Sequence, residues 1–236
     1  MVNNKNHKVT LYSHLEIKGT GYLVFRDIPK IIKKYAKGRK TLDYGCGAGR
    51  STRFLKSLNL IVEGIDNSQE MIDKAIQLDL SVPYTLITNN QIPKKSNSYD
   101  IIFSSLVLFE ISSLQELLKI FKEIYRVLKC DGIFIIVTGS EEMYNHQWLS
   151  LDTNYDENKN PSSGALMKIR LKEIDLELYD YFWTDNDYKN IINLSNFSLL
   201  EQIYPLGNKN DNYNWMSETL ASPYVIYILQ KKITSI

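Results

Sequence analysis

"TLDYGCGAGR", residues 41–50, carries glycine at positions 45, 47 and 49, directly after an apolar run and directly before a stretch with helical spacing. Glycine disfavours regular structure unless the backbone needs positive φ or room for something close by. Gly45 lets the chain turn sharply off a strand, and Gly47 clears a side chain where a ligand can lie against the backbone. Gly49 permits close packing as a helix begins. A dinucleotide fingerprint wants glycine where Arg50 stands. The spacing here is G-x-G-x-G, with Asp43 two residues ahead of Gly45. Such a loop suits a ligand that lacks a pyrophosphate but carries a cationic group.

Outward from the loop, strands and helices alternate. "KTLDY" (40–44) predicts a strand and "RSTRFLKSLNL" (50–60) a helix, with Phe54, Leu55 and Leu58 on one face. "IVEGID" (61–66) is a second strand, and "SQEMIDKAIQLD" (68–79) a helix with Met71, Ala75 and Leu78 together. "PYTLIT" (83–88) and "YDIIFSSLVLF" (99–109) follow, the second an apolar run of the kind strands show when buried on both faces. "SLQELLKIFKEIYRVLK" (113–129) has a helical stripe through Leu114, Leu117, Leu118, Phe121, Ile124 and Leu128. Asp131-Gly132 is expected to stop that helix before the strand "IFIIVTG" (133–139). Past Ser140 the rhythm breaks into a polar loop. "MKIRLKEIDLELYDYFW" (167–183) then alternates like a strand, and "TDNDYKNIINLS" (184–195) predicts a helix capped by Thr184 or Asp185. "NFSLLEQIYPL" and "SPYVIYILQKK" predict two last strands.

This alternation implies a parallel sheet wound on both sides, with every strand's C-terminal end on one ligand-binding edge. The glycine loop, Asp66 and Ser104–Ser105 all fall on that edge. Asp66 lies roughly 20 residues past the loop, where a carboxylate can accept both hydroxyls of a ribose. A ribose with a cationic tail describes S-adenosylmethionine.

Four stretches, "LDYGCGAGRS", "VEGIDNSQEMIDKA", "YDIIFSSLVLFEI" and "EIYRVLKCDGIFIIV", together span about residues 40–138. In order and spacing they resemble the class I S-adenosylmethionine-dependent methyltransferases. The resemblance implies an α/β, Rossmann-like seven-stranded mixed sheet with helices on both faces. It implies that the backbone around Gly45, Cys46 and Gly47 lines the methionine part of the cofactor, with Asp43 near its ammonium. Asp66 would hold the ribose, Asn67 and Met71 would flank the adenine, and Ser104, Ser105 and Leu106 would close the methionine side. Many relatives place an acid before "LP" after the third strand, to bond the adenine amino group. Here "TNNQIP" offers Asn89 and Asn90, whose amide oxygens can accept that bond. The common "LKPGG" turn is "LKCDG", a structural substitution.

In small-molecule members of this family the segment before the sheet often folds over the cofactor. In "LYSHLEIKGTGYLVFRDIPKII" (11–32), Tyr22 and Arg26 are one helical turn apart. Arg26 is a candidate for the cofactor carboxylate, which a guanidinium matches bidentately; the alternative is an exposed arginine and a core tyrosine. Methyl transfer from a sulfonium is a direct displacement, so a base is needed only when the acceptor arrives protonated. Glu110 is the leading base or acceptor-orienting residue, with packing or capping as its alternative; His14 and His146 are further candidates, and His7 a more distant one. The aromatic insertion, with Tyr144, Trp148 and Trp183, is expected to supply the acceptor pocket, or else a small satellite core.

The whole chain, 1–236, is expected to be one domain: an N-terminal cap (1–38), a cofactor-binding core (39–140), an acceptor-site insertion (141–182) and the last helix and strands (183–236). Lys+Arg of 28 against Asp+Glu of 27 argues against nucleic-acid or membrane partners. Two cysteines make no disulfide framework, and no run approaches the ~18 apolar residues of a spanning helix. A cytoplasmic enzyme acting on a small molecule is the expectation, yielding S-adenosylhomocysteine as product. No Cys/His cluster or carboxylate triad calls for a metal. The alternatives are methylation of RNA or protein, or a catalytically silent cofactor-binding partner.

Overall fold

The computed structural model describes residues 9–232. Its strands are β1 (Lys40–Tyr44), β2 (Ile61–Asp66), β3 (Tyr84–Leu86), β4 (Tyr99–Ser105), β5 (Leu128–Gly139), β6 (Leu151–Asp152), β7 (Leu166–Leu171), β8 (Leu176–Tyr181), β9 (Phe197–Ile203) and β10 (Tyr224–Lys231). The main sheet has seven strands in the order β3-β2-β1-β4-β5-β10-β9, and β6-β7-β8 form a second sheet of three. From β3 to β5 the pairing is parallel; β10 runs antiparallel to both β5 and β9. The chain starts at β1, works outward to β3, then returns to β4 on the other side of β1. That reversal opens a crevice beyond the C-terminal ends of β1 and β4.

Alternate residues of the central strands feed two separate cores, which is why β4 and β5 carry unbroken apolar runs. On one face Ile102, Phe134 and Ile136 pack with α5 (Leu114–Val127) and α6 (Asp185–Leu194) through Phe121, Ile124 and Ile191. On the other face Ile101, Phe103, Ile133 and Ile135 meet α1 (Tyr22–Phe25), α2 (Ile28–Tyr35) and α3 (Arg50–Ser57) through Phe25, Ile28 and Leu55. The helix α4 (Gln69–Leu78) connects β2 to β3. No helix among the described residues is long and apolar enough to cross a membrane.

The fourth strand ends at Ser105, where the sequence reading closes it, and two later boundaries differ from that reading. Leu106 adopts φ 57°, and the chain turns into a 3₁₀ turn over Leu108–Glu110. The apolar run persists because Leu108 is buried beneath that turn. Helix α5 ends at Val127, and Leu128 already pairs with Tyr99. An apolar residue there serves a helix stripe or a strand equally well, and sheet pairing decides. Residues 167–183 hold not one strand but most of a hairpin, β7 and β8, closed by a turn in which Asp175 has φ 48°.

Helix α6 begins in a reciprocal cap. Thr184 Oγ1 accepts from Asp187 N at 3.1 Å, and Asp187 Oδ2 accepts from Thr184 N at 2.9 Å. Thr184→Ala is expected to cost about 1 kcal/mol, read as a lower urea midpoint that Thr184→Ser restores. An unchanged midpoint would show that the cap contributes nothing.

Candidate functional site

A cavity of about 310 Å³ occupies the crevice at the β1–β4 reversal. Its cradle is the glycine loop. Gly45 sits at φ 73°, and a Cβ there would lie 2.4 Å from Val107 Cγ2, so no side chain fits. Gly45 and Cys46 both donate from their backbone N–H to Ile65 O at 2.9 Å, which clamps the loop onto the end of β2. Gly47 has φ 51°, and a Cβ there would meet nothing nearer than Met71 Sδ at 3.9 Å. Its backbone therefore lies bare to the cavity. The Cys46 thiol is buried, which pushes its pKa up and removes it as a nucleophile.

Asp66 closes β2 at the cavity wall. One carboxylate oxygen accepts from Gly47 N at 2.8 Å and the other from Ser68 N at 2.9 Å. A carboxylate has about four acceptor sites, so each oxygen keeps capacity for a ligand hydroxyl. Burial raises its pKa, while the backbone donors of Ser68, Gly47 and Asn67 act in the opposite sense. Asn67, Met71, Ser105, Leu106 and Asn90 also line the cavity. Asn90 is held there by Tyr44 Oη, which donates to its Oδ1, and by its own bond to Glu116.

Several expected residues lie elsewhere. Asp43 is fully buried under α3, where Oδ2 accepts from Ser51 and Thr52 hydroxyls at 2.6 Å and Oδ1 has no partner among the described residues. Burial pushes this carboxyl up to about 6. It anchors the start of α3 and does not reach the cavity wall, because β1 points it into the sheet face. Ser104 is buried for the same alternating reason, and Asn89 is exposed outside the wall. Arg26 turns away from the cavity: it donates to Asp27 at 2.8 Å and to Leu206 O at 2.6 Å, with Asp211 3.6 Å distant. Tyr22 packs on Tyr213, ring centroids 5.6 Å apart.

Arg50 stands in the cavity instead. Among the described residues it forms no hydrogen bond or ion pair; its guanidinium lies 5.6 Å from the Phe25 ring. Burial lowers its pKa, with Tyr224 and Tyr12 as the groups that oppose this most.

The far side of the cavity comes from the 3₁₀ turn and the hairpin. Glu110 lines it, as expected. By accessible surface Glu110 is exposed, yet the protein around the cavity pushes its carboxyl up to about 7, with Asp66 as the second cause. The insertion contributes Ile169, Leu171, Leu178 and Asp180, not the expected aromatics. Trp148 is fully buried and donates to Met143 O at 2.7 Å; Trp183 is buried and donates to Ile111 O at 3.0 Å. Tyr144 packs edge-on against Phe182. Trp183 belongs to the core on the α5–α6 face of the main sheet, and Trp148, with Tyr144 against it, to the core on the opposite face; there large rings bury most area and indole N–H groups find carbonyls. His146 pairs with Glu142 at 2.9 Å, and His14 is exposed between inward-facing neighbours. His7 falls outside the described residues.

Asp180 was missed, although a signal existed. In the alternating stretch Leu176, Leu178, Asp180 and Phe182 share one face, so Asp180 is an acid in an apolar register. It is 4% exposed, and burial together with Glu110 pushes it up to about 7.

Residues 42–136 match a family described as a methyltransferase domain. The malonyl-[acyl-carrier protein] O-methyltransferase of Serratia marcescens is 32% identical over 118 residues, 49% of this chain and 45% of that protein. An uncharacterized protein of Methanocaldococcus jannaschii is 30% identical over 190 residues, 78% of this chain and 70% of that protein. A solved S-adenosylmethionine-dependent methyltransferase from Clostridium acetobutylicum shares the fold, with TM-score 0.64 and 16% identity over 93% of this chain and 94% of that one. The chain spans about half the length of the named methyltransferases it matches. With the domain match running from the strand that feeds the glycine loop into β5, on a sheet of this strand order, the chain belongs to the class I S-adenosylmethionine-dependent methyltransferase family.

Proposed function

We propose that this protein transfers the methyl group of S-adenosylmethionine to a small-molecule acceptor by in-line displacement. The carrying observation is one continuous cavity with a polar cradle at the strand ends and an apolar chamber under the hairpin. The residues present fit the cofactor. Asp66 keeps two open acceptor positions for ribose hydroxyls, Gly47 offers bare backbone, and Arg50 is a guanidinium with no ion pair among the described residues. In this reading Asn67 and Met71 flank the adenine, Asn90 accepts from its amino group, and Arg50 takes the carboxylate role expected of Arg26. Bound there, the cofactor supplies an electrophilic methyl on a sulfonium. The chain's own part is to orient the acceptor and exclude water.

The N-terminal segment and the insertion cover the cofactor in this reading, through Tyr12, Leu15, Leu151 and Ile169. A net charge of +1 supports a small molecule over nucleic acid or an anionic membrane as partner. The test is formation of S-adenosylhomocysteine when the protein is mixed with S-adenosylmethionine and the small-molecule fraction of a cell extract. No turnover and no cofactor binding by calorimetry would remove the reading.

The two arginines separate cleanly. Arg50→Lys is expected to weaken S-adenosylhomocysteine binding about tenfold, since one ammonium cannot reproduce two parallel bonds to a carboxylate. Arg26→Lys should leave affinity unchanged, because its partners are the chain's own. A decarboxylated analogue should lose little further affinity in Arg50→Lys. Equal discrimination against that analogue by wild type and Arg50→Lys would take Arg50 off the carboxylate.

A further inference from the structure

The chamber holds two carboxylates with no pairing partner among the described residues. Asp180 lies near the end of β8, and Glu110 ends the 3₁₀ turn that packs against that strand. Neither side chain makes a hydrogen bond or ion pair among the described residues; each is perturbed only by burial and by a neighbouring negative charge. Around them the wall is apolar, with Phe109, Ile111, Leu151, Ile169 and Leu178. Building on the methyltransferase reading above, we propose that the acceptor is an amine carried on an apolar body, its ammonium seated between Glu110 and Asp180.

Charge decides among acceptor classes. Two like charges taken from water are each unfavourable, and a cation between them relieves both. A neutral alcohol relieves neither. An anionic acceptor, such as the malonyl group used by the Serratia relative, would add a third negative charge to the chamber. Three cations line the same cavity, Lys18, Arg50 and Arg53; Lys18 is paired with Glu16 and Glu173, Arg53 donates to Ala48 O, and none of the three is among the groups that shift Glu110 or Asp180. The other titratable groups coupled to the pair are Asp66 from β2 and four tyrosines, Tyr12, Tyr144, Tyr188 and Tyr224. None of these supplies a compensating positive charge.

The pair also answers a chemical need. An ammonium has no lone pair, so it must lose a proton before it can attack. One carboxylate takes that proton, as a carboxyl pushed up to about 7 can do near neutral pH. The nitrogen–carbon bond then forms as the methyl–sulfur bond breaks, and that bond's electron pair stays on sulfur. Sulfur becomes a neutral thioether, the positive charge moves to nitrogen, and the second carboxylate still faces it.

The experiment uses the full chain saturated with S-adenosylhomocysteine, titrated by calorimetry at pH 8 with 2-phenylethylamine, 2-phenylethanol or phenylacetate. The amine is expected to bind about tenfold or more tighter than the alcohol, and phenylacetate weakest. Asp180→Asn and Glu110→Gln, both close in shape to the native side chains, should each bring the amine down toward the alcohol while S-adenosylhomocysteine affinity holds. Equal binding of amine and alcohol, no binding of the amine, or a preference that survives both substitutions overturns the proposal. Loss of S-adenosylhomocysteine affinity in both variants also overturns it, by assigning the acids to the cofactor's own ammonium. Failure of the wild type to bind S-adenosylhomocysteine is a different result, and it removes the underlying methyltransferase reading.

Discussion

Asp66→Ala is expected to weaken S-adenosylhomocysteine binding by about 1.5–3 kcal/mol, roughly 10- to 150-fold, while the protein stays folded. Two losses combine in that figure. The ribose hydroxyls lose a charged acceptor, and the glycine loop loses its tie, because Gly47 N and Ser68 N donate to the same carboxylate. Calorimetry with a 2′-deoxy analogue separates the two. If Asp66 bonds the ribose, removal of the 2′ hydroxyl costs affinity in wild type and little more in Asp66→Ala. A folded Asp66→Ala protein with undiminished affinity would sink the assignment. Asp66→Asn, which keeps one acceptor oxygen, should fall between the two.

The second large effect concerns stability. Asp180 in the folded chain holds its proton up to about 7, against an ordinary aspartate value of 3.8. Between those values the folded state binds more protons than the unfolded one, so stability falls as pH rises through the window. The cost is absent below about pH 4 and complete above about pH 7. Each tenfold in proton affinity is about 1.4 kcal/mol, so ionised Asp180 destabilises the ligand-free fold by about 2–4 kcal/mol at pH 8. Asp180→Asn carries no charge and should unfold at a higher urea concentration at pH 8, with the advantage gone at pH 4. An Asn variant less stable than wild type at pH 8 would mean that the carboxylate has a favourable partner. Such a cost, retained at one wall of a cavity, is the kind of instability that a bound cation would offset.

Much of the cofactor side was legible in the sequence because its determinants are local. A strand, a glycine turn and a helix are set by periodicity within a few residues of each other. Once parallel pairing places the strand ends on one edge, Gly45, Gly47, Asp66, Asn67, Met71, Ser105 and Glu110 arrive at the cavity together. Asp43 and Ser104 were harder, since each sits one residue from a strand end. A shift of one position turns a side chain from the open edge into the sheet face.

The acceptor side depends on contacts between distant parts of the chain. Arg26 and Arg50 are both arginines near the loop, but Arg26 is claimed by Leu206 and Asp211, some 180 residues on. Trp183 finds a carbonyl at Ile111, 72 residues away, and is drawn into the core by it. Composition shows that the insertion is aromatic, but the hairpin register decides which side chains turn inward. With Leu171 opposite Leu176, the face that carries Ile169 and Leu178 also carries Asp180. The sequence therefore determined the sheet, the glycine cradle and the family. Only tertiary packing decided that the chamber is apolar with two acids that find no partner among the described residues, because burial is won by the side chains that find partners across the fold and the rest face the cavity.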